Sequence, residues 1–163
     1  MPINQIPGDT SGWYENIRVT MTDVDCLLVL ADIEISASPG NKPFTLTFMD
    51  VAQSLFTTRE WLIKVAECQL PAECIVEDNF LFWAGALSED RIDFRITTDL
   101  NKGNDARLLF EAIVKRKPFV KNFVKAFKNL LRRNHIHFST NDPGLGDPNE
   151  ISYDELLLRL RKS

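Results

Sequence analysis

Residues 115–133 read KRKPFVKNFVKAFKNLLRR and contain the strongest pattern in the chain. Large apolar side chains recur every three or four residues from Phe119 to Leu131, which is the spacing of one face of an α-helix. Basic side chains recur on the complementary stripe, at Lys117, Lys121, Lys125, Lys128 and Arg132. The run therefore predicts an amphipathic helix that packs its aromatic side on a sheet and presents its lysines to water.

Pro118 sits near the start of this run. Proline lacks a backbone N–H and disfavours helical geometry at the residue before it. Upstream, Asn104 is a good N-cap, and Ala106, Leu109, Phe110 and Ile113 are spaced as on a buried helix face. We therefore expect two helices, one ending near Arg116 and one beginning after Pro118.

The charge of the chain is strongly divided. Residues 1–103 contain sixteen acids and seven bases, whereas residues 104–134 contain two acids and nine bases. The net charge of the whole chain is nevertheless −4. Such a dipole identifies surfaces and classes of ligand, but it does not identify a function by itself.

Elsewhere the sequence predicts short strands and capped helices. Period-2 alternation predicts strands around residues 17–22, 26–36, 44–48, 74–76, 80–87 and 91–98, with a further short strand at 135–138. Two capping boxes, Thr57-x-x-Glu60 and Ser152-x-x-Glu155, predict the starts of two more helices. Residues 1–12 form a loose lead-in, and residues 140–150 form a Pro/Gly/Asp loop before the last helix.

These elements predict a single α+β domain over residues 1–163, with an antiparallel sheet of about six strands packed by three to four helices. No stretch approaches the ~20 apolar residues that cross a membrane, and the first residues lack the layout of a signal peptide. We therefore expect a cytoplasmic protein. Its odd cysteine count is no disulfide framework, although Cys68 and Cys74 flank one turn closely enough for a redox bridge.

Acidic side chains define the first candidate surface. Asp32 and Glu34 share one face of a predicted strand, and Asp23 and Asp25 lie close by in the chain. Carboxylates in such an arrangement suit a basic protein partner, general acid–base work or a divalent ion. They also suit a solvated sheet face on which Arg91 and Arg95 are cross-strand charge partners.

The basic stripe defines the second candidate surface, with five members: Lys117, Lys121, Lys125, Lys128 and Arg132. A stripe of this kind binds an acidic protein, nucleic acid or an anionic membrane surface, or is only a solvated face. No aromatic residue is interleaved among the bases, and the sequence pI is about 5.2, so a dedicated nucleic-acid binder is disfavoured.

Signals of catalysis are weak. No phosphate-binding loop, nucleophile elbow, zinc-protease helix or calcium loop occurs. His135 and His137 face the same way if they lie on a strand, but Arg132 and Arg133 next to them disfavour a bound cation. We therefore expect no metal, no cofactor and no catalytic residues.

The sequence thus favours a non-catalytic protein-binding module, of the immunity or chaperone/adaptor type found in bacteria, that meets its partner through charged surfaces. A nucleic-acid-associated protein using the helix 117–133 is the alternative. A small enzyme with a site made of histidines or carboxylates is the second alternative.

Overall fold

The computed structural model describes residues 16–23, 30–38, 43–98, 107–133 and 153–162. In chain order the elements within these ranges are β1 (Asn16–Asp23), β2 (Ala31–Ser38), β3 (Phe44–Phe48), α1 (Val51–Ala66), β4 (Ala72–Val76), β5 (Phe80–Ala86), β6 (Arg91–Thr98), β7 (Leu108–Lys115), α2 (Arg116–Arg133) and α3 (Tyr153–Lys162). The predictions for residues 1–12, 135–138 and 140–150 fall outside the described residues.

The strands form two antiparallel sheets, β1-β2-β3 and β4-β5-β6-β7, so the α+β class with antiparallel pairing is confirmed. The expectation of one sheet of about six strands is wrong. β1 and β7 approach each other, but within the described residues no backbone ladder joins them. On the edge of β1 that faces away from β2, the side-chain amide of Asn122 in α2 donates a hydrogen bond to the Ile17 carbonyl.

The first helix begins earlier than its predicted capping box. Asp50 is the N-cap, and its carboxylate accepts a hydrogen bond from the backbone N–H of Gln53 at 3.2 Å. Asp50 and Gln53 also have the spacing of a capping box, and this pair, not Thr57 and Glu60, marks the start of the helix. Thr57 and Glu60 lie inside the helix, and the neighbouring Thr58 hydroxyl donates to the Ser54 carbonyl at 2.5 Å.

Residues 108–115 are a strand and not the predicted helix. In β7, Phe110, Ala112 and Val114 are buried and lie opposite Ile96, Phe94 and Ile92 of β6. The stretch 108–115 is apolar at most positions, so Leu109, Phe110 and Ile113 fit a helix period while Phe110, Ala112 and Val114 fit a strand period. Pairing with β6 satisfies the backbone and buries alternate side chains, so the tertiary contact overrides local propensity.

The amphipathic helix forms as its pattern predicts, but it begins at Arg116 and contains Pro118 in its first turn. Proline is tolerated there because the N–H groups of a first turn have no partner within the helix. All apolar members of the stripe with described side chains are buried: Phe119, Val120, Phe123, Val124, Ala126, Phe127 and Leu130.

Arg116 ties the start of α2 to the end of α1. Its guanidinium is buried, and it donates to the carbonyl of Ala66 at 2.6 Å. A cation at a helix C-terminus also interacts favourably with the helix dipole. The backbone N–H of Arg116 donates to the Asp90 carbonyl at 2.7 Å, so the β5–β6 turn also contacts the start of α2.

The core lies between the sheets and the helices, around Trp61 of α1. Its ring contacts those of Phe82, Phe94, Phe119 and Phe123 with centroids 5.6–5.9 Å apart. The indole N–H donates to the Ala72 carbonyl at 3.0 Å, which satisfies the polar atom of this buried ring. The last helix, α3, adds Tyr153, Leu156 and Leu160 to the same core.

We expect Phe123→Ala to lower the free energy of unfolding by about 3–5 kcal/mol, because it leaves a cavity among four aromatic rings. Urea unfolding measures this change. Leu158→Ala is the matched control, since Leu158 is 42% exposed and its truncation should change stability by no more than about 0.5 kcal/mol. A loss below about 1 kcal/mol for Phe123→Ala would contradict the packing described.

Candidate partner-binding groove

One edge of β1 faces α2, and no described strand pairs with it. β2 pairs with the other edge over the full length of β1, from Asn16 opposite Ser38 to Asp23 opposite Ala31. On the edge that faces α2, the side-chain amide of Asn122 donates to the Ile17 carbonyl at 2.7 Å. This bond joins two residues 105 positions apart in the chain and holds the helix alongside the strand.

A groove of about 420 Å³ runs between this strand edge and the helix. Its volume lies within the range of about 300–1,000 Å³ typical of ligand-binding sites. Its lining is apolar at the base and polar at the rim, and consists of Ile17, Arg18, Val19, Asn122, Lys125, Ala126 and Asn129.

The groove is basic. Arg18 and Lys125 are both exposed and line it, and no carboxylate is among its lining residues. Neither cation forms an ion pair with a described residue. Within the described part of the chain, neither charge is therefore neutralised by an ion pair.

The predicted basic stripe lies beside the groove. Lys117, Lys121, Lys125 and Arg132 are exposed, as the pattern predicts. Lys128 differs, because it is half-buried and forms an ion pair with Asp154 of α3. The charge of Lys128 is therefore shared with an intramolecular partner, and Lys125 is the member of the stripe that also lines the groove.

The acidic residues are only partly brought together. Asp32 and Glu34 are exposed on β2, and the register sets Asp32 between Thr22 and Thr47, and Glu34 between Thr20 and Thr45. The Thr47 hydroxyl donates to the Asp32 carboxylate at 2.5 Å. Asp23 pairs with Ala31 rather than with Asp32, and Asp25 lies outside the described residues.

Arg91 and Arg95 are not the cross-strand partners of these acids, because both belong to β6 in the other sheet. Arg95 forms ion pairs with Asp93 at 2.8 Å and Glu111 at 3.6 Å, and the hydrogen bond to Asp93 raises the pKa of its guanidinium. The guanidinium also lies 5.5 Å from the centre of the half-buried Trp83 ring.

A second cleft, of about 270 Å³, is lined by Asp50, Glu77 and Asp78 among others. Its carboxylates serve the fold: Asp50 caps α1, and Glu77 accepts from the Met49 N–H at 3.0 Å and from the Ser54 hydroxyl at 2.6 Å. Within the described part of the chain, no group of three or more His, Cys, Asp or Glu is placed to hold a metal ion. His135 and His137 lie outside that part.

Cys68 and Cys74 are free thiols in different environments. Cys68 is exposed and has a left-handed backbone conformation, with φ of 58°, just after α1. Cys74 lies on β4, and burial, together with the negative charge of Glu73, raises the pKa of its thiol to about 12.

Comparison of the chain with protein-family models, with curated proteins and with solved structures found no match. In the described residues, no helix has the length and apolar character needed to cross a membrane.

The sequence pattern located Lys125 but missed the rest of the groove. Arg18 is an unremarkable polar residue in an alternating strand, and Asn122 and Asn129 are neutral residues within a basic helix. The spacing of seven between the two asparagines sets them on one face of α2, which is the only local signal for this wall of the groove.

We expect iodoacetamide at pH 8 to modify Cys68 much faster than Cys74. A pKa of about 12 leaves only about one Cys74 side chain in ten thousand as thiolate at this pH, and the thiolate is the nucleophile. Mass spectrometry of tryptic peptides after timed labelling measures both rates. The same labelling in guanidinium chloride is the control, since unfolding should make the two rates similar. Equal rates in the folded protein would contradict the assigned burial of Cys74.

Proposed function

We propose that the chain is a non-catalytic protein-binding module that holds an acidic segment of its partner in the groove between β1 and α2. The observation that supports this most directly is the lining of the groove: among the described residues it has two cations without an ion-pair partner and no carboxylate, in a chain of net charge −4. A basic, concave site favours an acidic segment by charge complementarity.

A protein partner is favoured over nucleic acid by what the groove lacks. None of its lining residues is aromatic, so it offers no ring on which a base could stack. The stripe that flanks it is mostly lysine, which binds phosphate as a point charge and does not read base edges bidentately as arginine does. The pairing of Lys128 with Asp154 shortens the run of free charge along the helix.

The groove is also favoured over the acidic face of β2. Asp32 is already bonded to Thr47, and its cross-strand neighbours are threonines on an exposed sheet face. Exposed charges of this kind contribute mainly to the rate of association, whereas a concave site with a polar rim also fixes orientation. A protein that neutralises or escorts one partner, as immunity-type and adaptor proteins do, would use such a site to hold a segment of that partner.

We expect a selection of random twelve-residue peptides on the immobilised protein to enrich sequences rich in aspartate and glutamate. Fluorescence polarisation then measures their affinity. Replacing both groove cations, Arg18→Glu with Lys125→Glu, should weaken binding at least about tenfold at low salt, because two attractions become repulsions. The difference should shrink above about 0.5 M salt, where the screening length falls to a few ångströms.

Arg107→Glu is the matched control, since Arg107 is exposed and lies at the end of β7 remote from α2. It reverses one charge without changing the groove and should leave affinity within about twofold. Enrichment of basic peptides whose binding is lost in the variant Asp32→Lys with Glu34→Lys would overturn the proposal in favour of the acidic face. Enrichment of no acidic peptide, together with binding of single-stranded oligonucleotides to the stripe, would favour the nucleic-acid alternative.

A further inference from the structure

We propose that the acidic group held in the groove is a phosphate monoester on a side-chain hydroxyl of the partner segment, rather than the carboxylate of an aspartate or glutamate. This chemistry deepens the proposed function and rests on it, because the same groove holds the same segment. Three features of the described lining favour a phosphate: its donors, its charge and the residues at its base.

Every polar side chain in the described lining of the groove carries N–H donors. Arg18 contributes a guanidinium, Lys125 an ammonium, and Asn122 and Asn129 one amide each. Guanidinium and ammonium groups have no acceptor atom, so the two amide oxygens are the only side-chain acceptors among these residues. Such a lining favours a ligand group that is negatively charged and that only accepts hydrogen bonds.

The lining carries two positive charges, from Arg18 and Lys125, and neither forms an ion pair with a described residue. Arg18 lies opposite Ser36 of β2, and the acid diagonal to it, Glu34, lies opposite Thr20. One carboxylate would balance one of the two charges, whereas a phosphate monoester carries about −1.5 to −2 at pH 7. Two carboxylates would also balance them, but two side chains lose more conformational freedom on binding than one phosphorylated side chain does.

The donors come from both walls of the groove. Arg18 lies on β1, and Lys125 and Asn129 are four residues apart on one face of α2, where all three are exposed. A guanidinium binds two phosphate oxygens at once, and a lysine binds phosphate as a point charge. A phosphate has three strong acceptor oxygens and a carboxylate has two, so three donor groups match the phosphate better.

The fourth donor, Asn122, serves the fold. Its amide donates to the Ile17 carbonyl at 2.7 Å, so this bond also occupies a backbone acceptor at the edge of β1. Recognition would therefore depend on side chains and not on main-chain pairing with the strand. At the base, Ile17, Val19 and Ala126 are buried and apolar, and charge-assisted hydrogen bonds gain strength beside such a surface.

A monoester on a protein segment is favoured over the phosphodiester of a nucleic acid. A diester group carries a single negative charge, and each one in a nucleic acid comes with a base. The described lining contains no aromatic ring on which a base could stack. The two cations therefore match a phosphorylated side chain better than they match a nucleic-acid backbone.

The test compares one peptide in three forms. A peptide library with a fixed phosphoserine and random flanking positions is selected on the immobilised protein. Fluorescence polarisation then measures the selected peptide with phosphoserine, glutamate or serine at the fixed position. We expect the phosphoserine form to bind at least about tenfold more tightly than the glutamate form at about pH 7.5 and low salt. At about pH 5.5 this difference should narrow, because phosphoserine gains a proton near pH 6 and glutamate stays ionised.

Replacing the groove cations by neutral residues, Arg18→Gln with Lys125→Gln, should reduce the preference for phosphoserine over glutamate to within about twofold. Lys121→Gln is the matched control. Lys121 is exposed on the same helix, one turn before Lys125, and is not among the lining residues. Its replacement should leave the affinity for the phosphoserine form within about twofold.

Equal affinity for the phosphoserine and glutamate forms, or a preference that survives the double replacement, would overturn phosphate recognition and leave the proposed function intact. Displacement of the phosphoserine peptide by an equimolar amount of inorganic phosphate would show that the segment is not the ligand. Binding to phosphatidylcholine vesicles that contain phosphatidylinositol 4-phosphate, without binding of the phosphoserine peptide, would assign the phosphate to a lipid instead. Failure of every acidic peptide, phosphorylated or not, would remove the proposed function itself.

Discussion

The packing of aromatic rings around Trp61 is the interaction on which the rest of the structure depends. This ring contacts Phe82 and Phe94 of the second sheet and Phe119 and Phe123 of α2, so one side chain of α1 joins three elements. Each ring buries a large apolar area, and edge-to-face geometry adds to that stabilisation. Since Phe119, Phe123 and Phe127 lie on one stripe of α2, their burial also fixes the rotation of the helix and therefore the direction in which Asn122 and Lys125 point.

The groove is a consequence of how α2 is anchored. Arg116 joins the start of the helix to the end of α1, the aromatic stripe holds its middle on the core, and Asn122 holds it against the edge of β1. These contacts fix the distance between the helix and the strand. No described strand pairs with the edge of β1 that faces the helix. Proteins usually block such edges against unwanted pairing with charged side chains or with a covering element. Here Arg18, Lys125 and α2 serve that protective role, and they also define which segment would be accepted.

Local sequence predicted the elements whose pattern fits one period only. The strand signals over residues 17–22, 80–87 and 91–98 identified β1, β5 and β6, and the stripe of bases at steps of three or four residues identified α2. It failed for β7, where Phe110 and Ile113 fit a helix period but Phe110 and Ala112 fit a strand period, and only pairing with β6 separates the two. The division into two sheets could not be read from the sequence, because local patterns do not show whether β1 pairs with β7. The groove could not be predicted from the sequence either, because Arg18 and Lys125 are far apart in the chain and line one site only once β1 and α2 pack together.

Charge distribution alone favoured the acidic face as the binding surface, and geometry gives a reason to prefer the basic one. At physiological ionic strength the screening length is about 8 Å, so the charges of Arg18 and Lys125, which line the groove, would act on a segment there more strongly than charges that lie beyond that length. In the proposed function, net charge would govern solubility and long-range approach, while the groove would govern which segment is retained. An acidic protein can therefore hold an acidic partner, provided that the cations lie where the partner is partly desolvated. The ion pair between Lys128 and Asp154 offsets one charge of the stripe, and Lys125 is the exposed member of the stripe that lines the groove.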